Sequence, residues 1–197
     1  MCSSDLVPGL TRLDTARFLA NLDSQADTIF RANLLMPYLE YDTIKVRNVK
    51  MKMAGNNTKL TYSGGLDGVV LTGFQIRKTS LIGDVSNNTA TFNATFKDSV
   101  DKDRHAVAGL LQNIDNQYRI KLKRGGLFLN YTPWQVDSTG YLQYGNAGLL
   151  VRNFNINRGQ ERLAVNSTTN TPNGPIDRKS TRLNSSHVSQ SRMPSSA

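Results

Sequence analysis

The 197-residue chain has one cysteine, one tryptophan, two histidines and six prolines, and each scarcity excludes something. Cys2 has no second thiol to pair with, so there is no internal disulfide and no cysteine-ligated metal site. His105 is the only histidine away from the C-terminal tail, and no GxSxG elbow accompanies it, so a serine-hydrolase reading has no base and no nucleophile in place. It reads instead as a solvated loop histidine. Asp67, Asp84 and Asp115 fall one per segment, at no spacing that suggests a ligand set, and no glycine-rich phosphate loop leads from a strand into a helix. The expectation is a non-enzyme with no cofactor and no metal. No run approaches the roughly 18 consecutive apolar residues of a spanning helix, so no membrane span is expected.

What is present begins with alternation. Ala90, Phe92, Ala94 and Phe96 share one parity, and Thr89, Thr91, Asn93, Thr95 and Lys97 share the other, which predicts a half-buried strand. Val69, Val70, Leu71, Phe74 and Ile76 precede it, with turn chemistry at Gly83, Asp84, Asn87 and Asn88. The pair reads as a hairpin with one apolar face.

The two ends read differently. Asp177 to His187, DRKSTRLNSSH, resembles the translated read-through of a sequencing-library adapter. Cys2 to Leu6, CSSDL, resembles the translation of the reverse complement of that adapter's start. Residues 1–6 and 177–197 are therefore set aside from fold reasoning as a head and a disordered tail, which leaves 7–176 as one truncated domain. A signal peptide would have been lost with the truncation.

Between those ends, Leu13, Ala16, Leu19, Leu22, Ala26, Ile29 and Phe30 recur every three or four positions opposite Arg12, Arg17, Asp23, Gln25, Asp27 and Arg31. That spacing predicts an amphipathic helix from Thr11 to about Leu34, closed from outside by Pro37. After Tyr41 everything reads as strands. Ile44 and Val46 share one parity and Val49, Met51 and Met53 the other, so a bulge or kink is expected near Asn48. Tyr118, Ile120 and Leu122 alternate with Arg119, Lys121 and Lys123; Tyr141 to Tyr144 and Leu149 to Ile156 read as a last hairpin around Gly145 to Gly148, and the chain from Gln160 reads as a turn-rich exit. The expected fold class is α+β: a long N-terminal helix packed on a curved antiparallel sheet of about seven strands.

Charge and sequons complete the reading. The net charge is +9, and Lys45, Arg47, Lys50 and Lys52 form one basic stripe while Arg119, Lys121, Lys123 and Arg124 form another. The apolar side chains alternate with these charges and point to the opposite face, the pattern of a solvated face rather than a nucleic-acid groove. An anionic membrane surface is an intermediate possibility. Five N-x-[ST] motifs start at Asn56, Asn87, Asn93, Asn130 and Asn166. Asn56, Asn87 and Asn166 fall in predicted turns and Asn93 on the polar parity of its strand, which favours a secreted, extracellular glycoprotein.

The order helix then sheet, with Leu66-x-Gly68-x-x-Leu71-x-Gly73-Phe74-x-Ile76 followed by Gly83-Asp84-Val85 and the Phe92/Phe96 alternation, resembles the tubular lipid-binding (TULIP) superfamily of arthropods. Its group 7 allergen-like and juvenile-hormone-binding or takeout-like branches are both similar. The early cysteine pair of the hormone-binding branch is lacking, and so is the second long helix that ends such proteins. The resemblance implies a carrier of a hydrophobic small molecule or lipid, with Phe74, Ile76, Phe92, Phe96, Ile120, Leu122, Phe154 and Ile156 lining its concavity. The alternatives are an extracellular protein-interaction module with a fully packed core and, behind it, a nucleic-acid or anionic-membrane binder.

Overall fold

The computed structural model describes residues 8–25 and 27–181. Among them there is no helix; fifteen strands form one antiparallel sheet. In chain order they are β1 (Leu10–Leu13), β2 (Arg17–Leu22), β3 (Phe30–Tyr41), β4 (Ile44–Gly55), β5 (Leu60–Leu71), β6 (Phe74–Ser86), β7 (Thr89–Lys97) and β8 (Asp103–Ile114). There follow β9 (Gln117–Leu129), β10 (Thr132–Val136), β11 (Tyr141–Gly145), β12 (Gly148–Arg152), β13 (Phe154–Arg158), β14 (Glu161–Ser167) and β15 (Ile176–Thr181). The α+β expectation is thus overturned: the fold is all-β, with fifteen strands in place of about seven and no helix to pack on them.

The stretch predicted as a helix forms β1, β2 and the first part of β3. Two period-two runs lie inside the three-and-four spacing. Phe18, Ala20 and Leu22 of β2 stand opposite Leu34, Ala32 and Phe30 of β3, all on one face. Between them Asp23 breaks any helix, its carboxylate accepting from the Gln25 N–H (3.0 Å) while its own N–H donates to the Ile29 carbonyl (2.8 Å).

From β3 to β10 the chain is a meander, each strand pairing with the next. Two-residue turns enforce it. Asn87–Asn88, Asp115–Asn116 and Asn130–Tyr131 all carry two consecutive positive φ values (47° and 55°, 51° and 58°, 49° and 64°), the type I′ geometry whose twist matches that of the flanking strands. Asn48, at φ 51°, marks the line where the apolar parity of β4 changes. Its amide donates to Asp67 Oδ2 on β5 at 2.7 Å, so the kink is tied across two strands.

Near its end the sheet folds back. β9 pairs through Tyr118, Arg119 and Ile120 with β11, and through Leu127, Phe128 and Leu129 with β10; the register slips between the two halves, around Gly125 at φ 70°. β10 continues to β13 and β14, and β11 to β12. The hairpin then meets β14, where the Val151 N–H donates to Ser167 Oγ (2.9 Å) and the Asn153 N–H to Asn166 Oδ1 (3.2 Å). Leu127, Val136, Leu150, Val151 and Ile156 are buried in this closed end. Ala32 of β3 is the only other buried apolar side chain among the described residues. The expected last hairpin of Tyr141 to Tyr144 with Leu149 onward, around Gly145 to Gly148, is β11 with β12, but its second arm stops at Arg152 and Asn153 (φ 47°) separates it from β13; the expected exit after Gln160 contains β14 and β15. β15 covers 176–181 as an exposed edge strand on β14; residues 1–6 and 182–197 lie outside the described ones.

Candidate binding face

Register converts the alternation into two faces. Phe92 stands opposite Gly83 and Gly109, Ala94 opposite Leu81 and Val107, and Ala90 opposite Val85 and Leu111. Gly109 pairs with Leu122 and Leu111 with Ile120, and Ile120 in turn with Leu142 and on to Val151. In the other direction Gly83 pairs with Tyr62, Tyr62 with Met53 and Met53 with Ala32. One apolar face therefore runs unbroken from β2 to β12. The reverse face carries a polar ladder, Thr89–Gln112–Arg119–Gln143, in which Arg119 donates to Gln143 Oε1 at 2.7 and 3.1 Å.

Two glycines shape the apolar face. A Cβ at Gly109 would lie 2.6 Å from the tip of the Phe92 ring, and one at Gly83 would lie 2.6 Å from the Tyr62 hydroxyl. Each ring is laid flat over a glycine of the neighbouring strand, a cross-strand arrangement that covers exposed backbone and lowers the surface at the centre of the sheet. Tyr62 Oη reaches past Gly83 to donate to the Thr91 carbonyl at 2.8 Å. Partial burial raises the Tyr62 hydroxyl above the ordinary tyrosine pKa, and Asp84 adds to the shift.

The residues singled out from sequence distribute as follows. Phe92, Phe96, Ile120 and Leu122 lie on the apolar face, all but Ile120 half-buried. Phe154 and Ile156 continue that parity in the closed end, where Ile156 is packed with Leu127 and Val136. Ile76 lies on β6 beyond the kink, level with Val69, Val46 and Leu39. Phe74 opens β6, and its side chain lies outside those described. Sequence reasoning missed Gly83 and Gly109, and also Leu81, Val107 and Leu111, which share the face. Of the sequons, Asn56, Asn87 and Asn130 sit between strands and Asn93 is exposed on the polar face. Asn166 is corrected from a turn to strand β14, where its side chain caps the Asn153 N–H. Asn56 Oδ1 accepts from the backbone N–H groups of Thr58 (3.0 Å) and Lys59 (2.9 Å), which holds the β4–β5 turn.

At the lower end of the face, His105 pairs with Phe96 and with Leu129. Its Nδ1 accepts from the Asn130 N–H at 3.1 Å, which leaves Nε2 as the donor of the neutral ring. Tyr131 Oη donates to Asp98 Oδ2 at 2.6 Å. That bond, with the N–H groups of Lys102 and Val100, holds the Asp98 carboxyl below its ordinary pKa and pushes the Tyr131 hydroxyl up. Among the described residues no cluster of three or more His, Cys, Asp or Glu could hold a metal, and no helix is long and apolar enough to cross a membrane. No protein-family model matches the chain, and no curated protein or solved structure matches it either. The amphipathic helix on which the superfamily resemblance partly rested is absent, while its glycine-rich motif lies on the β5–β6 hairpin.

Proposed function

We propose that this protein is a non-catalytic binder of a hydrophobic small molecule or lipid, held against the apolar face of the sheet. One observation carries the reading: over β3–β8 a continuous apolar face has no second layer opposite it among the described residues, while the reverse face is mostly polar, with Leu35, Ile82 and Leu110 set beside Lys50, Asn93 and Thr91. Leu81, Val85 and Ile120 on that face are still 36%, 36% and 37% exposed. Apolar area of this extent gains roughly 25 cal/mol for each Å² removed from water, which is a source of affinity that needs no chemistry. The sequons between strands and on the polar face are compatible with an extracellular glycoprotein, since a glycan there would leave the apolar face clear.

The test is a fluorescence titration with a lipophilic probe, displaced by fatty acids, terpenoids and retinoids. Phe92→Asp should abolish binding, whereas Asn93→Asp, one residue along on the reverse face, should leave it intact. Equal effects of the two substitutions would overturn the reading.

A second reading has its own support at the sheet edge. Phe18, Leu19 and Leu22 of β2 are 64%, 69% and 75% exposed, and β2 pairs only with β3. An edge strand this apolar suits a protein partner that adds a strand to it. Loss of a partner on Leu19→Pro, with probe binding unchanged, would favour that reading.

A further inference from the structure

A cavity lies where the apolar face meets a cluster of cations. It measures about 620 Å³ and is lined by Ile76 and Phe96 together with Arg77, Arg104, His105 and Tyr131, a volume within the usual range for small-molecule sites. The charges there are not equally available. Lys97, also on the wall, is 3.6 Å from Asp103 Oδ1 and donates to the Asp101 carbonyl at 3.1 Å. Asp98 accepts from Tyr131 Oη and from the N–H groups of Val100 (2.9 Å) and Lys102 (3.0 Å), so its oxygens are committed to holding the β7–β8 turn. The guanidinium groups of Arg77 and Arg104 pair with no carboxylate among the described residues. His105 presents Nε2 once Nδ1 is taken by Asn130.

Resting on the apolar-face reading, we infer that this cavity takes the anionic head group of a single-chain amphiphile whose alkyl chain runs along the sheet from Phe96 toward Phe92. Two unpaired guanidinium groups and an imidazole N–H recognise an anion, since charge-assisted bonds to planar oxyanions are the strong ones. Ile76 and Phe96 on the same wall give the first methylenes an apolar surface, and Ala94 and Phe92 continue that surface up β7. A neutral chain would meet the same floor and leave the cations unanswered.

The experiment is calorimetric titration of the full chain with dodecanoate, dodecyl phosphate, dodecanol and acetate. The expected result is that both anionic chains bind at least about 10-fold tighter than dodecanol, that acetate does not bind measurably, and that the margin shrinks as salt rises. Arg77→Gln with Arg104→Gln should remove the margin while dodecanol binding is kept, a readout that also shows the variant is folded. Dodecanoate against dodecyl phosphate decides whether the head group is a carboxylate or a phosphate. If the twelve-carbon chains bind equally whatever their charge, or if the double variant keeps its preference for the anions, the head-group site is wrong and the apolar face stands. If no alkyl chain binds at all, the apolar-face reading itself has failed.

Discussion

At the β9–β14 end, apolar side chains face one another across a ring of strands; along β3–β8, side chains of the same kind face one way and meet nothing described opposite them. Both regions use the same meander and the same alternation. The difference lies in β9, where the slip around Gly125 lets one strand pair with β11 through its first half and with β10 through its second. Closure there gives Leu127, Val136 and Ile156 partners on all sides. No strand of β3–β8 divides its pairing in this way, and their apolar face stays half-exposed. One end of the molecule is stabilised by its own core, and the other is left with surface to offer.

The contrast can be broken most directly by truncating one residue in each region. Leu127→Ala should cost about 2–5 kcal/mol, because the hole it leaves cannot be filled by solvent. Phe92→Ala removes a larger side chain yet should cost about 1 kcal/mol, since only part of that ring is withdrawn from water in the folded state. Urea unfolding of both variants checks the order. A Phe92→Ala penalty equal to that of Leu127→Ala would mean that the open face is covered in solution. Amide hydrogen exchange sharpens the same point without mutation: β12 and β13 should exchange more slowly than β3 to β6.

An effect smaller than that of Leu127→Ala is expected at the seat of the Phe92 ring. A Cβ added at Gly109 would come within 2.5 Å of the Lys121 carbonyl and 2.6 Å of Phe92. The carbonyl cannot swing aside as a side chain can, so Gly109→Ala should cost about 1–3 kcal/mol by overpacking. It should also lift the ring and weaken binding of a lipophilic probe. Thermal denaturation together with probe titration separates the two consequences. In the closed end, where no ligand is proposed, a mutation of equal cost should leave the probe untouched.

How much of this was legible in the residues depends on how local the signal was. Ala90–Phe96 and Tyr118–Leu122 announce their strands, because period-two alternation is written in neighbouring positions. Asn87–Asn88 announces its turn for the same reason. Thr11–Leu34 misleads, since Leu13, Leu19, Leu22 and Phe30 fit a helical stripe as well as they fit three strands. The alternation Phe30, Ala32, Leu34, Met36 and the Asp23-Ser24-Gln25 turn were the signals that could have decided it. The apolar lining residues could be named from strand parity alone. Gly83 and Gly109 could not, because their role as seats for Tyr62 and Phe92 exists only once residues of different strands, far apart in sequence, are in register. Nor could the closed end be foreseen, since it rests on a slip in β9 and on Ser167 meeting β12 across a side-chain contact.

The smallest expected effect concerns the β7–β8 turn, on the wall of the cavity with Arg77 and Arg104, and it has a definite sign. Asp98 is held below the ordinary aspartate value of 3.8, first by the Tyr131 hydroxyl. A carboxyl depressed in the folded state contributes stability that is complete above its unfolded pKa and is lost as pH falls through the folded one. The β7–β8 turn should therefore be firm from neutral pH down to about that ordinary value, and loosen only at more acidic pH. Tyr131→Phe removes the leading cause of the shift, so the loosening should move upward toward the ordinary aspartate range. Because the group is at most half-buried, this should appear as faster exchange of the Val100 and Lys102 amides and not as a measurable change in global unfolding. The closed end has its own depressed carboxyl, Asp137, held by Thr139, and Tyr131→Phe should leave the pH response of that turn unaltered. A shift at both turns would show that the two regions are coupled through β9 and β10, and that the open face and the closed core unfold as one unit.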